Sequence, residues 1–319
     1  MGSNSKWVDG KPDDSVRRVA RRALSSRLER MWHYLELAVR APRSETENVH
    51  QLRVFSRRAA AAMEIFEAWL PTRRGRSIRK KIKHVRKAAG AARDFDVLLL
   101  RWSQRLEQTP SPLGSLLLEE ITRHRHEAQP PIRAVHEKLT KRRFLRKTSK
   151  LLERIRDRVG AGPCDERFGC MARVAMDRLL VPYLKAARAE LDDAEALHAF
   201  RIQGKQVRYA MEIFSGAFDE EFRSELYPAV VLLQERLGAI NDHFTAKTYF
   251  CQWLAVCESG AARESLEWAM NEERQSLDTT WHEFLAWWTS ERRAELCGRF
   301  ARYVQPPDLG EPQLSDSEC

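Results

Sequence analysis

The chain matches itself at a distance. Adding 148 to a residue number carries His50, Arg53, Ala62, Met63, Glu64, Ile65, Phe66, Gly90, Ala91 and Asp94 onto the same residue types at His198, Arg201, Ala210, Met211, Glu212, Ile213, Phe214, Gly238, Ala239 and Asp242, without a gap. These ten identities lie within 47 aligned positions and cluster at the two ends of the window. Internal repetition of this kind predicts two structurally similar halves facing each other.

The elements that fill those halves read as helices. From Val16 to about Arg40 the apolar positions Val16, Val19, Ala20, Ala23, Leu24, Leu28, Met31 and Leu35 recur at three and four, the period of an amphipathic helix. Further helices are expected over about 45–69, 77–105, 113–127 and 168–191. Another starts at Pro130-Pro131 and runs through Lys141, Arg142, Arg143, Arg146 and Lys147 to Arg158. The second half continues with the His198 helix, a helix from Tyr227 to Trp253, and one or two closing helices over 261–304. No stretch alternates convincingly with period two, so the expected fold is all-α, with two pseudo-symmetric bundles around a central basic groove or pore. Gly160 to Gly169 is the clearest boundary, which gives a first half of about 15–159 and a second of about 165–304. Residues 1–14, rich in Gly, Ser, Asn, Asp and Pro, read as a disordered leader, and the Pro-rich acidic residues 305–319 as a disordered tail.

Charge is concentrated in the first copy of the repeat. Between His50 and Arg93 stand thirteen Lys and Arg residues against Glu64 and Glu67 alone, a net of +11, whereas the whole chain carries +10. The basicity is therefore local. With His50 at zero and about 100° per residue, Arg53, Arg57 and Glu64 fall at about 300°, 340° and 320°, on one face. His198, Arg201, Lys205 and Glu212 repeat that sector, and Arg208 joins it. The expected 77–105 helix places Arg79, Lys83, Arg86, Lys87 and Arg93 broadly on one side. Like charges four residues apart repel by a few tenths of a kcal/mol, about 0.2–0.5 per pair, which an anion would relieve. Gly90 inside this helix costs about 1 kcal/mol relative to Ala, which suggests close approach of a neighbour or ligand. The second copy is less basic: Lys83, Arg86, Lys87 and Arg93 correspond to Val231, Gln234, Glu235 and Asn241.

The spacings His50-x-x-Arg53-x-x-x-Arg57, Gly90-x-x-Arg93-Asp94-x-Asp96, His198-x-x-Arg201-x-x-x-Lys205-x-x-Arg208-Tyr209-x-x-Glu212 and Gln234-x-x-Leu237-Gly238-x-x-Asn241-Asp242 resemble the CHAD family, an α-helical domain with characteristic histidines. The resemblance spans roughly Val16 to Trp288. It implies two helical bundles related by pseudo-symmetry, binding of inorganic polyphosphate in a basic central groove, and association with polyphosphate granules in the cytoplasm. The expected binding set is His50, Arg53, Arg57, Arg79, Lys83, Arg86, Lys87, Arg93, His198, Arg201, Lys205 and Arg208. Sulfate or phosphate ions could occupy the same groove.

Other chemistries fit less well. The arginine fork donates two hydrogen bonds to phosphate and lysine adds a mobile charge. The two histidines have Arg neighbours on their own faces and no His or Cys at i+3 or i+4, which disfavours a metal. Glu64 and Glu212 read as orienters of the basic groups, Asp94, Asp96 and Asp242 as structural partners of Arg93 or the backbone, and His124 and His126 as solvated. No phosphate-binding loop or metal-binding carboxylate constellation suggests hydrolysis, and neither cofactor nor catalytic residue is expected. Few aromatic residues interleave the basic faces, so nucleic acid is expected only as a weak competitor. The six cysteines form no C-x-x-C pair and read as free thiols. No apolar run approaches the roughly 20 residues that span a bilayer, and the polar start lacks a signal core.

Overall fold

A computed structural model describes residues 6–40, 46–155, 167–258 and 260–304. Among them are twelve α-helices: α1 (Val16–Arg40), α2 (Thr46–Ile65), α3 (Thr72–Ala88), α4 (Gly90–Gln108), α5 (Pro112–Glu127), α6 (Pro130–Lys141), α7 (Phe144–Leu152), α8 (Phe168–Arg188), α9 (Ala194–Phe214), α10 (Tyr227–Leu254), α11 (Ala261–Trp287) and α12 (Ser290–Val304). A 3₁₀ turn (Glu67–Trp69) follows α2, and a π turn (Phe222–Leu226) leads into α10. The described residues contain no strand, only an isolated bridge between Ser15 and Arg167.

Local chemistry sets several helix starts. Ser111 accepts a hydrogen bond from the Gly114 amide ahead of Pro112, and Asp193 accepts one from the Ala196 amide at 2.8 Å. Both satisfy amides that the helix itself leaves free. Apolar residues at three and four then bury one stripe of each helix. On α3 this stripe is narrow, Ile78, Ile82 and Val85, and charged residues occupy most of the rest.

Three groups of helices share the core. In the first, α1 lies along α2, with α3, α6 and α7 completing the group. In the second, α8 packs on α9 and α12, and α9 packs on α10. The third crosses the chain: α4 and α5 leave the first group and pack against α10 and α11. Trp102 of α4 meets Phe250 of α10 and Trp268 of α11, with ring centroids 6.2 and 5.3 Å away. Arg101 of α4 donates to Glu273 of α11 at 2.9 and 3.0 Å, where His243 Nδ1 of α10 lies 2.5 Å from the same carboxylate. The boundary drawn near Gly160 is therefore not a packing boundary for α4 and α5. Residues 156–166 of that boundary, like the tail 305–319, lie outside the described residues.

Several expectations are corrected. Residues 1–5 of the expected disordered leader lie outside the described residues, and 6–14 are held against the fold, with the Gly169 and Phe168 amides donating to the Pro12 and Asp14 carbonyls. Trp7 stands edge-on to Tyr227 at 4.6 Å, Lys6 lies over both rings, Val8 is buried, and the Val8 amide donates to the Glu212 carbonyl at 3.1 Å. Composition misled because two apolar anchors suffice to hold a polar strap down. The expected 77–105 helix is two helices, breaking at Ala89, and the expected helix from Pro130 breaks at Arg142 and Arg143. Cys170 is in a disulfide, so the free-thiol reading fails there, while Cys251, Cys257 and Cys297 are free. His124 is not simply solvated: its ring stacks on Trp253 at 4.1 Å and pairs with Glu120 and Glu127.

Candidate polyanion-binding cleft

Residues three, four and seven apart on a helix return to one face, so His50, Arg53 and Arg57 form a row along α2. The same spacing builds the row Arg201, Lys205 and Arg208 on α9, and α2 packs against α9. The two rows act on each other. Lys205 is drawn down to about 6, first by burial, then by Arg57 across the interface and by Arg201 and Arg208 on its own helix, with Asp242 opposing. Arg201 is drawn down to about 10 by burial first; Asp242 works the other way, and Arg57 and Arg53 of α2 add to the fall.

The junction of α3 and α4 closes the third side. Burial, then Arg57, lower Arg53; Asp94 opposes, and Arg93 and Arg86 lower it further. His50 is lowered by burial and then by Arg93. The Arg53 guanidinium lies 3.7 Å from Asp94, which accepts from the Tyr249 hydroxyl at 3.3 Å. A side chain at Gly90 would bring its Cβ within 3.2 Å of Arg53 Nη1. The glycine that opens α4 thus leaves room for that guanidinium.

A cavity of about 720 Å³ opens between α2, α8 and α9 beside Arg86 of α3, its lining including Arg57, Glu64, Arg86, Arg178, Lys205 and Tyr209. Tyr209 belongs to the motif on α9, whereas Arg178 lies outside every motif. Arg178 sits on α8, expected from the sequence only as a helix over about 168–191. Inside the cluster, Arg201 Nε and Arg208 Nε are buried without a hydrogen-bond acceptor. A buried donor without an acceptor costs roughly 1–3 kcal/mol, more when charged, so these groups favour an incoming anion.

Eight of the twelve expected residues thus come together: His50, Arg53, Arg57, Arg86, Arg93, Arg201, Lys205 and Arg208. The other four differ in their surroundings. Arg79 is committed to an ion pair with Glu67. Lys83 and Lys87 are exposed on α3, and Lys83 acts on His84. His198 is exposed at the start of α9. The helix is interrupted at Ala89, between Lys87 and Arg93.

The acids divide differently from expectation. Asp94 partners Arg53, and Asp96 is buried against Arg125, with Arg93 acting on Asp96 as a lesser influence. Glu64 is exposed and lines the cavity. Its counterpart Glu212 is wholly buried, accepting from Arg58 Nε at 2.7 Å, Arg58 Nη2 at 3.0 Å and the Tyr227 hydroxyl at 2.9 Å. Arg27 Nη2 stands 3.9 Å away, and burial draws Arg27 down to about 10. Among the described residues no three His, Cys, Asp or Glu side chains form a metal-holding group.

The family model for the CHAD domain matches residues 22–251. The crystal structure of the CHAD domain from the plant Ricinus communis is similar, with 24% identity, a TM-score of 0.69, and coverage of 96% of this chain and 98% of that one. PptA from Streptomyces chartreusis is similar at 18% identity and a TM-score of 0.61, over 86% of this chain and 99% of that one. At these identities the likeness is one of fold. No curated protein matches.

Proposed function

The chain belongs to the CHAD domain family, and from that premise we propose that it binds inorganic polyphosphate without processing it, holding the polymer in the cleft between α2, α9 and the α3–α4 junction. The family is linked to polyphosphate and triphosphate binding. The observation that carries the reading is the convergence on Lys205, where Arg57, Arg201 and Arg208 crowd a partly buried amine that Asp242 alone opposes. Like charges held this close are stabilised by a polyanion, and a linear one touches several of them at once while releasing its counterions. The acids beside the cluster support gripping over hydrolysis, because Asp94 and Asp242 act on Arg53 and Arg201.

We also read the domain as two related halves around this cleft. The order of the helices supports it: α1, α2 and the α3–α4 pair correspond at the offset of 148 to α8, α9 and α10, and each series packs in the same sequence. On this reading α10 is the unbroken counterpart of two helices, and the second half contributes to the cleft chiefly through α9. Residence at cytoplasmic polyphosphate granules belongs to the same proposal. Among the described residues no helix is long and apolar enough to cross a membrane.

The test is retention of labelled long-chain polyphosphate by the full chain and by R53E/R201E, with DNA and RNA as competitors at matched phosphate concentration. Retention should vanish in the variant while helicity and melting temperature stay near normal, and polyphosphate should displace nucleic acid. Unchanged retention would place the site elsewhere, and release of orthophosphate over hours would make the protein an enzyme.

A further inference from the structure

A second group of cations lies away from the cleft. Arg73 and Arg74 of α3, Arg142 and Arg143 between α6 and α7, and Arg146 and Lys147 of α7 line a concavity of about 610 Å³. No acidic residue lines it, and none of the six forms an ion pair among the described residues. With about 100° per residue, Arg146, Lys147 and Lys150 fall within one face of α7. On α3, counting from Arg73, the lining residues Arg74, Ser77 and Ile78 fall at about 100°, 40° and 140°, whereas Arg86 of the cleft falls at about 220°, beyond the buried stripe. The two concavities share no lining residue.

Arg143 adopts φ 52°, ψ 54°, a left-handed conformation disfavoured for a residue with a Cβ, and it is the one described non-glycine residue with positive φ. That turn brings the arginines at the end of α6 and the start of α7 onto one concavity. Arg74 Nη1 is shielded from solvent with no hydrogen-bond acceptor. The helix α7 begins there with no side-chain cap on its first amides. Around the rim, burial and then Lys147 and Arg142 hold the Lys81 amine below its ordinary range.

From this geometry we propose that the concavity between α3 and the α6–α7 junction is a second anion site, separate from the cleft, that takes a compact molecule carrying several phosphate groups. Guanidinium forks on two sides and free helix amides suit clustered phosphates more than a single one. The site stands whether or not the cleft binds polymer.

Calorimetric titration of the full-length R53E/R201E chain with inositol hexakisphosphate, and separately with linear tripolyphosphate, tests it at about 150 mM salt. Saturable one-site binding should survive, and adding R146E/K147E should weaken it about tenfold or more. Stronger binding of the compact probe identifies clustered phosphates as the ligand, and stronger binding of the linear one identifies a short oligophosphate. If R53E/R201E does not fold, the comparison moves to the wild-type chain, where R146Q/K147Q should remove one of two binding equivalents. No saturable binding, binding indifferent to the α7 substitutions, complete competition by sulfate at equal ionic strength, or loss of RNA binding alone would overturn the proposal. The cleft reading fails separately, through unchanged long-polymer retention in R53E/R201E.

Discussion

Arg58 of α2 and Glu212 of α9 meet through two hydrogen bonds, at 2.7 and 3.0 Å, 154 positions apart in the chain. The carboxylate is fully buried and Arg27 stands close by, so removing either partner leaves an uncompensated charge inside. Glu212→Ala should destabilise the chain by about 3–5 kcal/mol, and a double-mutant cycle with Arg58→Ala should show strong coupling. Urea denaturation of the four chains measures it; additive losses would show that the pair does not clamp α2 to α9.

Lys205 should make the free protein sensitive to pH. Its folded value, about 6, lies below the ordinary 10.5, so between these values the unfolded chain holds more protons than the folded one. Stability from this group is therefore lowest below about pH 6 and rises as pH increases toward 10.5. Lys205→Met should flatten that rise in denaturation curves between pH 6 and 9. A bound polyanion favours the charged amine, so binding long-chain polyphosphate near pH 8 should take up protons. Calorimetry in buffers of different ionisation enthalpy reads this uptake, and K205M should reduce it.

Gly204 is where α9 touches α10. A Cβ there would lie 2.1 Å from Gln234 Nε2 and 3.2 Å from the Tyr183 ring, all inside the core. Gly204→Ala should cost about 1–3 kcal/mol through overpacking, although alanine is the better helix former. Adding Gln234→Ala should recover part of the loss in thermal denaturation, because it removes the nearer obstacle.

Glu273 ties the shared helix group across the chain. Burial raises its carboxyl, but the His243 hydrogen bond and Arg101 outweigh burial and hold it below the ordinary 4.5. A depressed carboxyl stabilises the fold above its unfolded value and loses that contribution as pH falls through the folded one. The stability gap between wild type and Glu273→Gln should be constant above about pH 5 and shrink below pH 4.5. A gap that persists into acid would mean that the carboxylate charge does not matter.

Salt dependence follows from the number of cations in the cleft. A polymer that touches six or more should lose about 10³-fold or more in affinity between 50 and 200 mM salt. A shallow slope in filter-binding measurements would mean that only a few contacts form.

Much of the cleft was legible before any coordinates. The rows on α2 and α9 follow from spacing, the offset of 148 aligns them, and α2 packs against α9. What could not be read was the fate of equivalent positions. Glu64 and Glu212 correspond, yet one is exposed and the other is the buried centre of a clamp. Arg58, the residue that clamps it, sits about 80° from His50 and outside the face that drew attention. The strap at Trp7 and the break at Arg143 were also invisible, because each depends on surfaces supplied by distant helices.

The sequence by itself determined which face of each helix is cationic and which is apolar, because side chains three and four apart share a face by local covalent geometry. Tertiary structure alone decided which cationic faces meet. Rotation and break of each helix are set by burying its apolar stripe against the helices packed on it, some adjacent in the chain and some more than a hundred positions away. That contest placed Arg57 opposite Lys205, tied Arg79 to Glu67, and left His198 in solvent.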